Sequence, residues 1–222
     1  MFESKYSKLL TVILVIVIIA IVGLLGFLAY DFFANNMLSQ DASDYVDNFE
    51  GEVADGQTDK NDNTTSDSEN TTNPFDEIKD AEKSSIRAKK TYKGFGVLGT
   101  MEIPTTNFKY PVLEKVTKKS IETAVAFLYG TELNEPGNTV IIGHNYRNGL
   151  FFSNNKKLNV GDKIYITDNS GRKLTYTIYN KFETTPEDTS FYQRDTGGKP
   201  EVTLSTCTDD SKARLIICAK AE

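Results

Sequence analysis

The sequence is poor in the side chains that build metal and disulfide frameworks. Its 222 residues include one His, two Cys and no Trp. One His and two Cys fall short of the usual four-ligand zinc site, and two Cys do not make a disulfide-rich scaffold. Basic residues are also in deficit, with 25 Lys and Arg against 31 Asp and Glu, a formal net charge of −6. Phosphate neutralisation needs a basic surface, so the balance argues against nucleic acid as the main partner. The length allows one domain of ordinary size with accessories.

What is present divides into three materials. Leu9 to Tyr30 contains no charged residue and is apolar all round. At about 1.5 Å per residue these 22 residues reach roughly 33 Å, enough for a hydrocarbon core of about 30 Å. A helix is the only way such a segment satisfies its own backbone in lipid. Lys5 and Lys8 precede it and Asp31 follows it, which predicts a cytoplasmic tail over 1–8 and the remainder outside. The apolar run exceeds the core of a cleaved signal peptide, about 7–15 residues, and reads as a signal anchor over 9–30.

Residues 31–73 read as an acidic, polar, flexible linker. Gln57 to Asn73 contains no aliphatic or aromatic side chain and cannot offset the entropy of ordering. Asn73-Pro74-Phe75 suits a helix start, and a helix is expected over 74–91.

From Tyr92 to Glu222 short β-rich runs alternate with turn signals. Strands are expected at Gly96–Ile103, Tyr110–Leu113, Thr139–Gly143, Lys163–Thr167, Lys173–Tyr179, Glu201–Cys207 and Arg214–Lys220. Lys118–Tyr129 carries a helical apolar period at Ile121, Val125 and Leu128. So many short strands suggest a closed barrel or a sandwich, and pattern alone does not choose.

The chemistry-bearing residues are His144, where an apolar strand meets a polar loop, and Cys207, at a strand end. In a hairpin Cys207 faces the region of Arg214. Cys218 then lies about four residues along, roughly 13 Å away at about 3.3 Å per residue. Bridged Cα atoms are usually within about 7 Å, so a disulfide is disfavoured and Cys207 is a free thiol. A Cys nucleophile works as the thiolate. A nearby imidazole can protonate a leaving amine and later activate an incoming one. Arg214 can hold an oxyanion. A structural His and a surface Arg are the plainer readings of either residue alone.

Thr203-Leu204-Ser205-Thr206-Cys207, followed by Arg214-Leu215-Ile216-Ile217, closely resembles the TLxTC…R signature of sortases, cysteine transpeptidases of Gram-positive cell surfaces. Gly137-Asn138-Thr139-Val140-Ile141-Ile142-Gly143-His144 resembles the strand leading to that family's His. Val97 to Pro104, Tyr110 to Leu113 and Val160 to Ile164 resemble further family strands, so the likeness runs from about Phe95 to the C-terminus. The resemblance implies a mostly β fold, an eight-stranded barrel with short helices over 92–222. It implies Cys207 as nucleophile, His144 as general acid and base, Arg214 as substrate or oxyanion binder, and Thr206 in substrate contact. The implied reaction cleaves an LPxTG-type sorting signal of a secreted surface protein and passes it to an amine of a peptidoglycan precursor or a pilin lysine. No cofactor is implied. Some members bind calcium, and the domain has no acidic cluster suited to it. Gly143-His144-Asn145 leans to class B, while the short connection from Thr184 to Pro200 leans to class A or D. Asn73-Pro74-Phe75 loosely resembles a pilin-type lid motif without its Asp. Alternatives are a pilus-polymerising sortase, a hydrolytic thiol peptidase and a non-catalytic surface binding module.

Overall fold

A computed structural model describes residues 3–55 and 90–222. They fall into two units, one up to Leu38 and one from Ser39 to Glu222. The chain is α-helical over Glu3–Asp55 (α1). Within the first unit the apolar side chains from Leu9 to Leu38 are largely exposed on all sides. Of the described residues, this is the one helix long and apolar enough to cross a membrane, with a mean hydropathy of 3.3 over its most apolar window.

The second unit begins with a departure from the expected linker, because the chain stays helical through Asp55. Ala42, Val46 and Phe49 recur at helical spacing and are buried in the core of the unit, with Tyr45 and Val53 packed beside them. The acids between them, unpaired in the local sequence, find lysines far along the chain. Asp41 pairs with Lys93, Asp47 with Lys109, Glu50 with Lys173 and Glu52 with Lys90. Charge density read locally therefore resembles a solvated tether, whereas the partners are tertiary. The rest of the linker, the expected helix up to residue 89 and the Asn73-Pro74-Phe75 motif lie outside the described residues. Residues 90 and 91, assigned to that helix from sequence, belong instead to a strand.

That strand, β1 (Lys90–Tyr92), pairs antiparallel with β2 (Phe95–Ile103). The chain continues through β3 (Phe108–Leu113), α2 (Lys118–Ile121), β4 (Val125–Tyr129), β5 (Gly137–Ile142), β6 (Lys163–Asp168), β7 (Lys173–Thr184), β8 (Pro200–Cys207) and β9 (Arg214–Ala221). Their order is β1-β2-β3-β4-β5-β8-β9-β7-β6, and β6 returns to pair with β2, closing an eight-stranded barrel. Closure needs a residue without a side chain. A Cβ on Gly99 would stand 2.2 Å from the Thr167 carbonyl oxygen on β6.

The expected helix to Tyr129 is one turn only, capped by Thr117, and Val125–Tyr129 is strand β4. Ala124, Val125, Ala126 and Phe127 are all buried in the core, so this strand is apolar on both faces. A doubly buried strand shows no alternation, and its flanking Ile121 supplied a false helical period.

Along β8 and β9 burial alternates between two clusters. Val202, Leu204, Leu215, Ile217 and Ala219 point into the main core. Ile216 and Cys218 point the other way and pack with Val140 and Phe191. This second cluster lies under the 185–199 connection between β7 and β8. By strand alternation Cys207 and Arg214 belong to that outer face.

Candidate active site

Strand register brings the three sequence-selected residues into one row. β5 and β8 are parallel, with Ile141 opposite Leu204 and Ile142 opposite Ser205. Carried two residues past the end of β5, the same offset would set His144 beside Cys207 at the end of β8. The backbone N–H of Gly143 still donates to the Ser205 carbonyl at 3.3 Å, so pairing persists past the strand end. β9 runs antiparallel to β8 and sets Arg214 directly opposite Cys207. Its Nη1 donates to Cys207 Sγ at 2.8 Å.

The row opens into a cleft of about 250 Å³. Ile142, Gly143, Ser205 and Thr206 line it, together with Ile121, Leu128, Pro186 and Tyr192. His144, Cys207 and Arg214 all line it. Cys207 is partly exposed and unbridged, and Cys218 is buried opposite Thr203, four rungs away, so the two thiols stay apart.

Local sequence explains each position. Gly143 precedes His144 because a Cβ there would meet Val125 Cγ1 at 2.8 Å and Phe152 Cδ2 at 2.9 Å. Thr206 is buried, and its hydroxyl donates to the Gly143 carbonyl at 2.8 Å. This ties the His-bearing strand end to the Cys-bearing one. Asn145 donates to the Cys207 carbonyl at 3.0 Å and to Asp209 at 2.9 Å. Arg147 donates to Ser211 at 3.0 Å, so the loops after His144 and after Cys207 are stapled together.

The ring of Tyr146 stacks on the His144 imidazole, with centroids 4.7 Å apart and an interplanar angle of 25°. Burial pushes the His144 pKa below its ordinary value of 6.5, and the negative charge of Glu122 works against that fall. Glu122 is the C-cap of α2, one residue after cleft-lining Ile121. Burial raises the Tyr192 pKa, opposed by the positive charge of Arg214.

Sequence reasoning found the row but not its surroundings. Tyr146 follows His144 by two residues, yet nothing local distinguishes it from any loop Tyr. Glu122, Leu128, Pro186 and Tyr192 reach the site only through tertiary folding. No group of three or more acidic, His or Cys side chains suited to a metal occurs among the described residues.

Residues 101–222 match the family model of the Sortase domain. The chain belongs to the sortase family. Among its relatives is Sortase A of Bacillus anthracis, 32% identical over 124 residues, covering 54% of this chain and 58% of that one. Sortase A of Streptococcus agalactiae serotype III (strain NEM316) is 27% identical over 156 residues, covering 67% and 62%. This sortase-family chain thus spans about three-fifths of the length of either relative. Of solved structures, the lid mutant of Sortase A from Corynebacterium diphtheriae is 30% identical with a TM-score of 0.53, covering 58% of this chain and 71% of that one. The Clostridium perfringens Sortase D5 transpeptidase is 29% identical with a TM-score of 0.54, covering 64% and 88%. Neighbours of more than one class leave the subclass open.

Proposed function

We propose that this chain is a membrane-anchored sortase, held by Leu9 to Tyr30 with its N-terminus in the cytoplasm and its 92–222 domain outside. It cleaves an LPxTG-type sorting signal through a Cys207 thioacyl intermediate and transfers the protein to a cell-wall amine. The observation that carries the reading is that His144, just past the end of β5, Cys207, at the end of β8, and Arg214, at the start of β9, line one cleft.

In the first step the Cys207 thiolate attacks the carbonyl carbon of the substrate Thr, forming a C–S bond. The negative charge moves to oxygen, where Arg214 donates to it; this guanidinium already donates to Sγ and so lies against charge before and after attack. The imidazolium of His144 gives its proton to the leaving nitrogen as the C–N bond breaks. The thioacyl enzyme and neutral His144 remain. In the second step an amine attacks the thioester, His144 takes its proton, the C–S bond breaks and the thiolate returns. Thr206, bonded to Gly143, keeps the two strand ends in register beneath the substrate. The chain's own side chains suffice for each proton and charge in this scheme.

Incubation of the full chain in detergent micelles with a panel of sorting-signal peptides, with and without an amine such as a short glycine or diaminopimelate peptide, tests the reading. Mass spectrometry is expected to show an adduct on Cys207 and an amine-linked product, both lost in Cys207→Ala. Turnover retained by Cys207→Ala would overturn it. Hydrolysed product alone, across amines, would point to a thiol peptidase.

A further inference from the structure

The wall of the cleft that carries Tyr192 belongs to a connection with no regular element. Between Thr184 and Pro200 the chain makes only turns and bends over 185–199. Connections of this length without secondary structure are uncommon in small domains and normally mobile. Here the inner side is fastened at close intervals by side chains that do not line the catalytic cleft.

Arg194 is the centre of that fastening. Its Nη1 donates to the carbonyl of Phe191 at 3.2 Å and to Thr203 Oγ1 on β8 at 2.9 Å, and its Nε donates to Glu201 Oε2 at 2.6 Å. Asn138 on β5 donates to the carbonyls of Phe191 at 3.1 Å and Tyr192 at 2.9 Å. Thr203 links the two centres by donating to Asn138 Oδ1 at 2.8 Å. Tyr179 on β7 completes the group with a hydrogen bond to Glu201 at 2.8 Å. Phe191 is buried against Val140, Ile216 and Cys218, and the Tyr192 ring rests on Phe191 and Tyr129 at 4.9 and 5.4 Å.

We infer that Arg194 is a positioning residue, which fastens the 185–199 connection to the outer face of the barrel so that Tyr192 is held as a wall of the peptide-binding cleft. The inference rests on the transpeptidase reading of that cleft. A planar guanidinium serves a backbone carbonyl, a hydroxyl and a carboxylate at fixed angles; an ammonium on a flexible stem keeps the charge without that geometry. Arg194→Lys therefore releases the wall while Glu201 retains a cationic partner.

The test compares wild type with Arg194→Lys and Arg194→Ala, all as the full chain in detergent. Three quantities are read: amide hydrogen exchange over 185–199, peptide KM and kcat, and the rate of Cys207 alkylation by iodoacetamide. Both variants are expected to speed exchange over 185–199 at least tenfold relative to β8 and β9. KM is expected to rise about tenfold, with kcat and alkylation within twofold of wild type. Unchanged exchange overturns the inference, and so does faster exchange with an unchanged KM. An equal fall in kcat and alkylation also overturns it, because Arg194 would then act on Cys207 and not on the wall. A wild type inert to every peptide contradicts the transpeptidase reading instead, and exchange alone then decides whether Arg194 fastens the connection.

Discussion

Arg214 donates from Nη1 to Cys207 Sγ at 2.8 Å, from the rung directly opposite on the neighbouring strand. Seven residues of chain and a single hairpin thus deliver both the proposed nucleophile and a cation hydrogen-bonded to its sulfur. The geometry belongs to the fork and not to the charge alone. Arg214→Lys is expected to lower kcat/KM with a sorting-signal peptide by about 10²-fold or more, the scale of losing one oxyanion donor. Steady-state cleavage assays check this, and activity within threefold of wild type would remove Arg214 from the reaction.

Gly143 sets the height of His144. A Cβ at residue 143 would press on Val125 and Phe152 at under 3 Å, and both are buried. Gly143→Ala is expected to cost about 1–3 kcal/mol of stability from overpacking. It should also lower kcat by more than that loss accounts for at a temperature where the variant is folded. Thermal denaturation and kcat measured side by side check both statements.

Glu122 tunes the imidazole. Burial depresses the His144 pKa and Glu122 partly restores it. The proposed mechanism needs His144 protonated beside a Cys207 thiolate, so losing Glu122, by lowering that pKa further, is expected to shrink the active fraction. Glu122→Gln should shift the acid limb of the kcat/KM profile to lower pH and reduce the maximum. Glu122 is exposed, so the shift should fade as salt rises. A pH profile at low and high ionic strength checks this; an acid limb moving to higher pH would contradict it.

The helical segment after Ser39 is expected to be part of the folded unit. Phe49 is 2% exposed, and Phe49→Ala should destabilise by about 3–5 kcal/mol, as deletions of buried aromatic rings do. Acid should weaken the same contact. The hydrogen bond from Lys93 holds the Asp41 carboxyl below its ordinary value of 3.8, against the effect of burial. A depressed carboxyl adds stability above its unfolded pKa and loses it as pH falls through the folded one. Melting curves of wild type and Phe49→Ala between pH 3 and 7 check both effects.

Much of this was legible in the sequence. Turn residues and β-rich runs located seven of the nine strands, and hairpin spacing alone kept Cys207 and Cys218 apart. The TLxTC run and the apolar strand running toward His144 pointed to the cleft that His144, Cys207 and Arg214 line. Three things were hidden. β4 lacks alternation because both faces are buried. Asp41, Asp47, Glu50 and Glu52 looked like a tether because their lysines lie in distant strands. The meeting of His144 and Cys207 in one cleft depends on the parallel pairing of β5 with β8, which no local pattern encodes.

The most direct test of the central claim is intact-mass measurement of the full chain mixed with a sorting-signal peptide, before and after an amine is added. The account predicts a mass increase equal to the N-terminal acyl fragment, mapped to Cys207, that disappears as amine-linked peptide accumulates. Amine-linked product formed with Cys207→Ala, or an adduct mapped to Cys218, would contradict it.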